Sequence, residues 1–167
     1  MRSGLLLSTI LMAITLGGCG GSPTPPDAGA GTSWLLAEMP AAAVPVAEAK
    51  RTAREGDEVV VRGRIGGRRE PMTAGSAVFV MIDPAIPHCE LGKCKRPWDY
   101  CCETPESIAT NSATVTLVDD AGTAISVDLR EHSIKPLDEV VVVGTVGPRP
   151  NEAVFVIHAT KLHRVSG

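Results

Sequence analysis

From residue 57 to residue 162 the chain is a run of short apolar segments, most alternating with polar positions and separated by Gly, Pro or Asp. Residues 57–66 predict a strand with Val61 and Ile65 on one face and Arg62 and Arg64 on the other. Residues 77–82 are apolar on both faces and predict a strand covered on both sides. Residues 113–118 and 124–129 predict a hairpin, with Asp119 to Thr123 as its turn and the adjacent carboxylates of Asp119 and Asp120 explained by that turn. Residues 137–146 and 153–162 predict two last strands, joined through Gly147-Pro148-Arg149-Pro150-Asn151. Ahead of them all, residues 46–54 predict a short helix, with Pro45 suited to its first turn and Gly56 to its stop.

One pattern occurs twice. Asp57-Glu58-Val59-Val60-Val61-x-Gly63-x-Ile65-Gly66 returns as Asp138-Glu139-Val140-Val141-Val142-x-Gly144-x-Val146-Gly147. Glycine inside a strand marks a bend, a bulge or a close approach, so two strands with glycine at the same phase suit a strongly coiled, closing sheet. This order, with the segments GDEVVVRGRIGG and DEVVVVGTVGPRPNEAVFVIHATKLHRV, resembles the oligonucleotide/oligosaccharide-binding fold over about residues 46–165. The resemblance implies an all-β chain: a five-stranded Greek-key barrel, here with a short N-terminal helix, whose first strand pairs with the fourth. An immunoglobulin-like sandwich would want about seven strands, more than the pattern offers.

The amino end reads as an address. Met1 to Gly4 is a short positive segment, residues 5–16 form an apolar run too short for a comfortable membrane span, and the run closes in Leu16-Gly17-Gly18-Cys19. That ending resembles the bacterial lipoprotein signal. The resemblance implies cleavage after residue 18, a diacylglycerol on the Cys19 thiol, an acylated new amine, and a protein exported and held to a bacterial membrane. Residues 19–33 then form a tether without large apolar side chains, with a span of roughly 20 Å. Residues 34–167 form the expected domain.

Composition narrows the partners. The formal charge is −3 and aromatic residues are 3% of the chain, so neither a polyanion footprint nor a base-stacking surface is expected. The membrane, through the lipid, and an envelope protein or small ligand are the expected partners; nucleic acid is not. Arg62, Arg64, Arg68 and Arg69 form a candidate patch for an anionic ligand, against the plainer reading of a solvated face. His132 stands in a polar loop without an evident partner. No nucleophile elbow, H-E-x-x-H or phosphate loop occurs, so the chain is expected to be a binding or accessory module rather than an enzyme.

The candidate chemistry is sulfur. Apart from Cys19, the cysteines are Cys89, Cys94, Cys101 and Cys102, all within an insertion at residues 84–112 between the second and third barrel strands. Its Pro-Trp-Asp-Tyr-Cys-Cys segment resembles a block of uncharacterised secreted bacterial proteins, a likeness that implies no activity. An even number of cysteines in an oxidising compartment favours two structural disulfides. Bridging adjacent Cys101 and Cys102 is strained, so Cys89 and Cys94 would each take one of them. The alternative is a metal site: four thiolates, with His88 or Asp99 as auxiliary ligands, suit Zn²⁺ or Cu⁺, although the spacing lacks C-x2-C knuckles. A redox-active thiol pair is the third reading, without the C-x2-C motif such pairs favour. Trp98 and Tyr100 are expected to pack over the crosslinked loop.

Overall fold

A computed structural model describes residues 33–89 and 93–165; the predicted signal segment and Cys19 lie outside the described residues. Six strands and two helices follow in the order β1 (Val44–Pro45), α1 (Val46–Thr52), β2 (Glu58–Ile65), β3 (Val78–Ile82), α2 (Pro105–Asn111), β4 (Ser112–Leu117), β5 (Glu139–Val146) and β6 (Val156–Val165). The sheet runs β1-β2-β3-β4-β6-β5, and β5 returns to pair with β2. Five strands therefore close a barrel, all antiparallel except β4 against β6, with the first barrel strand on the fourth. This is the connectivity expected of an oligonucleotide/oligosaccharide-binding-like barrel. Among the described residues no helix is long and apolar enough to cross a membrane.

The alternation along β2 explains its orientation. Val61 and Ile65 are fully buried inside, while Arg62 is outside and forms an ion pair with Glu139 on β5 at 2.5 Å. β3 is buried on both faces from Phe79 to Ile82, as its continuous apolar run requires. The repeated segments pair with each other: Val61 stands opposite Val142, its own counterpart in the repeat, and the register is symmetric about that pair. Opposite Val143 and Gly144 the register shifts by one residue, which leaves Thr160 of β6 as the extra residue of a bulge and bends that strand. At Gly144 a side chain would run into the backbone of His158 and Ala159, and at Gly63 it would meet the Met81 thioether. Both glycines thus serve close approach between strands.

α1 seals the core with Val46 and Ala49. Pro45 is its N-cap and has no side-chain oxygen to offer, so the cap comes from far along the chain. Asp83, 4% exposed, accepts the Ala47 N–H at 2.8 Å and the Ala85 N–H at 2.9 Å. The same helix returns the favour to the insertion. The buried Lys50 ammonium donates to the carbonyls of Ala109 (2.6 Å), Ser112 (3.1 Å) and Ala153 (2.8 Å). Burial, and then repulsion from Arg149, lowers its pKa from the ordinary lysine value.

Three expectations are corrected. The helix ends at Thr52, before Arg54, because Ala53 is already extended. The second arm of the predicted hairpin is not a strand: Ala124 makes a single bridge to Val118, and Leu129–His132 is a 3-10 turn. Asp128 ends the arm by accepting the Arg130 N–H, a local bond that competes with the ladder. The Asp119 turn is present, its carboxylate accepting the N–H groups of Ala121 and Thr123. His132 does have a partner: its ring meets Trp34 edge-on, with centroids 5.0 Å apart.

Candidate metal centre

The insertion leaves the barrel after Ile82 and re-enters at Ser112, and these two residues face each other across β3 and β4. Its first part returns on itself through the Cys89 N–H, which donates to the Pro97 carbonyl at 3.2 Å. A 3-10 turn, Pro97–Asp99, then lays the chain on the exit of β2. The Gly67 N–H donates to the Trp98 carbonyl (2.8 Å), and the Trp98 indole N–H donates to the Arg69 carbonyl (3.2 Å). Tyr100 is fully buried, with its ring edge against Gly66. The two rings expected to pack over the loop thus bind it to the barrel.

Tyr100 also directs the sulfurs. Its backbone is left-handed (φ 55°), which costs a non-glycine residue about 1–2 kcal/mol. A turn closed by the Glu103 N–H on the Tyr100 carbonyl (2.9 Å) places Cys101 and Cys102 at its two central positions. Asp99 holds the turn by accepting the Cys101 N–H (3.1 Å) while paired with Arg96 at 3.7 Å. α2 follows at once, with Thr104 as its cap (accepting the Ser107 N–H at 3.1 Å) and Pro105 in its first turn.

The result gathers four sulfurs. Cys89 Sγ lies 3.5 Å from Cys101 Sγ and 3.7 Å from Cys102 Sγ, and Cys94 Sγ lies 3.9 Å from Cys101 Sγ. All four fall within 4.8 Å of one another. A disulfide needs about 2.05 Å, so neither expected bridge is formed and all four thiols are free. Sulfurs at about 2.3 Å from one tetrahedral ion would be about 3.8 Å apart, and the three contacts of 3.5, 3.7 and 3.9 Å lie near that spacing. The geometry offers a place for one ion.

The thiols are electrostatically coupled to one another. Burial opposes ionisation of Cys89, but the Cys102 backbone N–H and the thiols of Cys101, Cys102 and Cys94 more than offset it and lower its pKa. Their hydrogen bonds to Cys89 are the main reason that the Cys101 and Cys102 thiols are pushed up. A cation held by these four cysteines would replace the shared protons and favour their thiolate forms. Cys89 is buried, Cys94 half-buried, and Cys101 and Cys102 exposed, so the cluster is open to solvent on one side.

The other sequence candidates divide. The His88 Nδ1 lies 2.8 Å from the Cys89 carbonyl oxygen, and the Asp99 carboxylate is engaged with the Cys101 N–H and Arg96 and also bears on the Cys101 thiol; neither is among the four mutually close ligand atoms. Two of the four arginines of the candidate patch have partners of their own. Arg62 is paired with Glu139, and Arg64 reaches across the insertion to the carbonyls of Pro84 and Ile86 (both 3.4 Å). Arg64 also lies near the Tyr100 phenol, whose pKa is raised by burial. Arg68 and Arg69 remain exposed. Sequence reasoning missed Asp83 and Lys50, the residues that fix the insertion to α1, because both act through backbone groups distant in the chain.

No family model and no curated protein matches this chain. Among solved structures it is similar to the hypothetical protein ygiW from E. coli, at 16% identity, over 75% of this chain and 94% of that one, with a TM-score of 0.37.

Proposed function

We propose that this chain is a metal-binding module: an exported, lipid-anchored barrel that holds one Zn²⁺ or Cu⁺ ion through Cys89, Cys94, Cys101 and Cys102, without catalysing a reaction. The observation that carries the reading is the group of four thiols within 4.8 Å of one another, three of their contacts being near the spacing of a single tetrahedral ion. A mononuclear site fits better than an iron–sulfur cluster, whose ligands must surround several atoms. Zinc and copper(I) both favour sulfur, and the ion would neutralise part of the charge the thiolates acquire. The one-sided opening favours a site that can exchange its ion. Export and anchoring rest on residues 5–19, where Leu16-Gly17-Gly18-Cys19 provides the thiol for the lipid. The membrane, and an envelope protein that gives or takes the ion, are the proposed partners.

Native mass spectrometry of the anaerobically purified chain tests the reading. Retained zinc or copper, with four alkylatable thiols after chelation, is the expected result. A metal-free mass about 4 Da below the reduced chain would instead establish two bridges and an oxidised cap. That second reading is favoured by the short Cys89–Cys101 approach of 3.5 Å, from which little movement is needed to form a bond.

A further inference from the structure

Away from the sulfurs, a cleft of about 950 Å³ opens between the carboxyl ends of α1 and α2 and the loop from β5 to β6. Four cationic side chains line it (Lys50, Arg51, Arg54 and Arg149) against one acidic side chain, Glu152. Lys50 spends its three donors on carbonyls, and Arg149 gives Nη1 to the Ala53 carbonyl at 2.5 Å. These bonds neutralise the helix-end carbonyls that would otherwise repel an anion. Arg149 is also stacked over the Phe155 ring, 5.0 Å from its centroid, so its guanidinium is held before any ligand arrives. Its remaining donors have no hydrogen-bond partner among the described residues. The exposed guanidinium groups of Arg51 and Arg54 have no hydrogen-bond or ion-pair partner among the described residues.

The remaining lining shows what else the ligand carries. Thr52 already donates its hydroxyl to the Glu48 carbonyl and Asn151 Oδ1 accepts the Ala153 and Val154 N–H groups, which leaves the Thr52 hydroxyl oxygen, the Thr110 hydroxyl and the Asn151 amide N–H₂ to offer, and the volume far exceeds that of a bare ion. We infer that this cleft binds a phosphate group borne on a small polyol, with Arg51, Arg54 and Arg149 on the phosphate oxygens and Thr52, Thr110 and Asn151 toward the hydroxyls. Guanidinium forks match phosphate oxygens two at a time, which selects phosphate over a carboxylate of the same charge. The site is independent of the metal reading. The same chemistry occurs in a soluble sugar or glycerol phosphate and in a phosphoglycerol lipid headgroup.

The probes are glycerol phosphate, glycerol alone, and vesicles of phosphatidylglycerol or phosphatidylcholine, at matched ionic strength. With glycerol phosphate, amide resonances of residues 50–54 and 149–153 should shift and saturate, and glycerol should leave them in place. The double variant Arg51→Glu/Arg54→Glu should bind about tenfold more weakly, with the barrel resonances and metal content unchanged. Arg149→Lys keeps the charge but not the fork, and should also weaken binding. Saturation by glycerol phosphate assigns a soluble ligand. Tighter binding of wild type than of the double variant to phosphatidylglycerol vesicles, without response to glycerol phosphate, assigns the headgroup. Either supports the site. Equal behaviour of wild type and both variants toward every probe overturns it.

Discussion

The ring edge of Tyr100 occupies the space that a Cβ on Gly66 would need: the added atom would stand 2.7 Å from Cε2 of Tyr100 and 2.8 Å from the Trp98 carbonyl oxygen. The loop that carries the sulfurs therefore rests directly on the barrel backbone. Gly66→Ala should push Tyr100 and Trp98 outward while leaving the strands paired. We expect an unchanged far-ultraviolet circular dichroism spectrum and an affinity for zinc lower by about tenfold in a chelator competition, because the thiolates lose their preset spacing. An unchanged affinity would show that the loop shapes itself around the ion without the barrel's help.

The sulfurs should stabilise the insertion more than the barrel. Replacing Cys101 or Cys102 by Ser removes a ligand from a loop with little core of its own. Hydrogen exchange should speed up across residues 93–111, with the amides of β2, β5 and β6 protected as before. Uniform loss of protection in every strand would contradict this division.

The twin glycines should differ sharply in cost. At Gly144 an added methyl group meets the backbone of β6, which cannot move without breaking the ladder. Gly144→Ala should cost about 3 kcal/mol and lower the melting midpoint by about 10 °C. At Gly63 the obstacle is the flexible Met81 side chain, so Gly63→Ala should cost about 1 kcal/mol. Thermal unfolding of the two variants checks the order.

Lys50→Met should strand three carbonyls at once. A net loss of roughly 2 kcal/mol is expected from urea denaturation, with fastest exchange in α2, whose end the ammonium holds.

Asp128 should give the protein an acid-sensitive contact. Its carboxylate is held well below the usual range, first by the Arg130 guanidinium and then by the Gly75 N–H. A folded pKa below the unfolded value of about 3.9 means that the unfolded chain binds the proton first. This stabilisation is complete above the unfolded pKa and is lost as pH falls through the folded one. The stability difference between wild type and Asp128→Asn should be constant above about pH 5 and should shrink below about pH 4. Urea midpoints measured from pH 3 to pH 7 test the sign.

What the sequence disclosed was periodicity. The alternation Val61-Arg62-Gly63-Arg64-Ile65 specified a face for β2, and the Val-rich repeat indicated a coiled, closing sheet, because burial follows those spacings directly. The stretch from Ala124 to Leu129 alternates equally well but is not a strand. There the Asp128 carboxylate offers the backbone a local partner, and only one bridge forms. α2 carried a readable start, Thr104 followed by Pro105, obscured by its shortness and by the cysteines before it. The sulfur geometry was not legible. The spacing of Cys89, Cys94, Cys101 and Cys102 leaves disulfides and a metal site both open, and the left-handed Tyr100 and the seat on Gly66 exist only once the chain is folded. The arginines divide for a related reason. Neighbours in sequence found separate partners, while Arg51, Arg54 and Arg149 converged from different elements.

Ile82 and Ser112 share the last rung of β3 and β4, and just beyond them the Asp83 N–H donates to the Asn111 carbonyl at 2.8 Å, so the long excursion begins and ends at one point of the barrel wall. A graft is therefore possible in either direction. The span from 83 to 111 could be moved to any antiparallel rung that offers a bare glycine platform beside it, and a tight turn could take its place here. The wall would close over the gap, and α1 would be the element left needing new moorings.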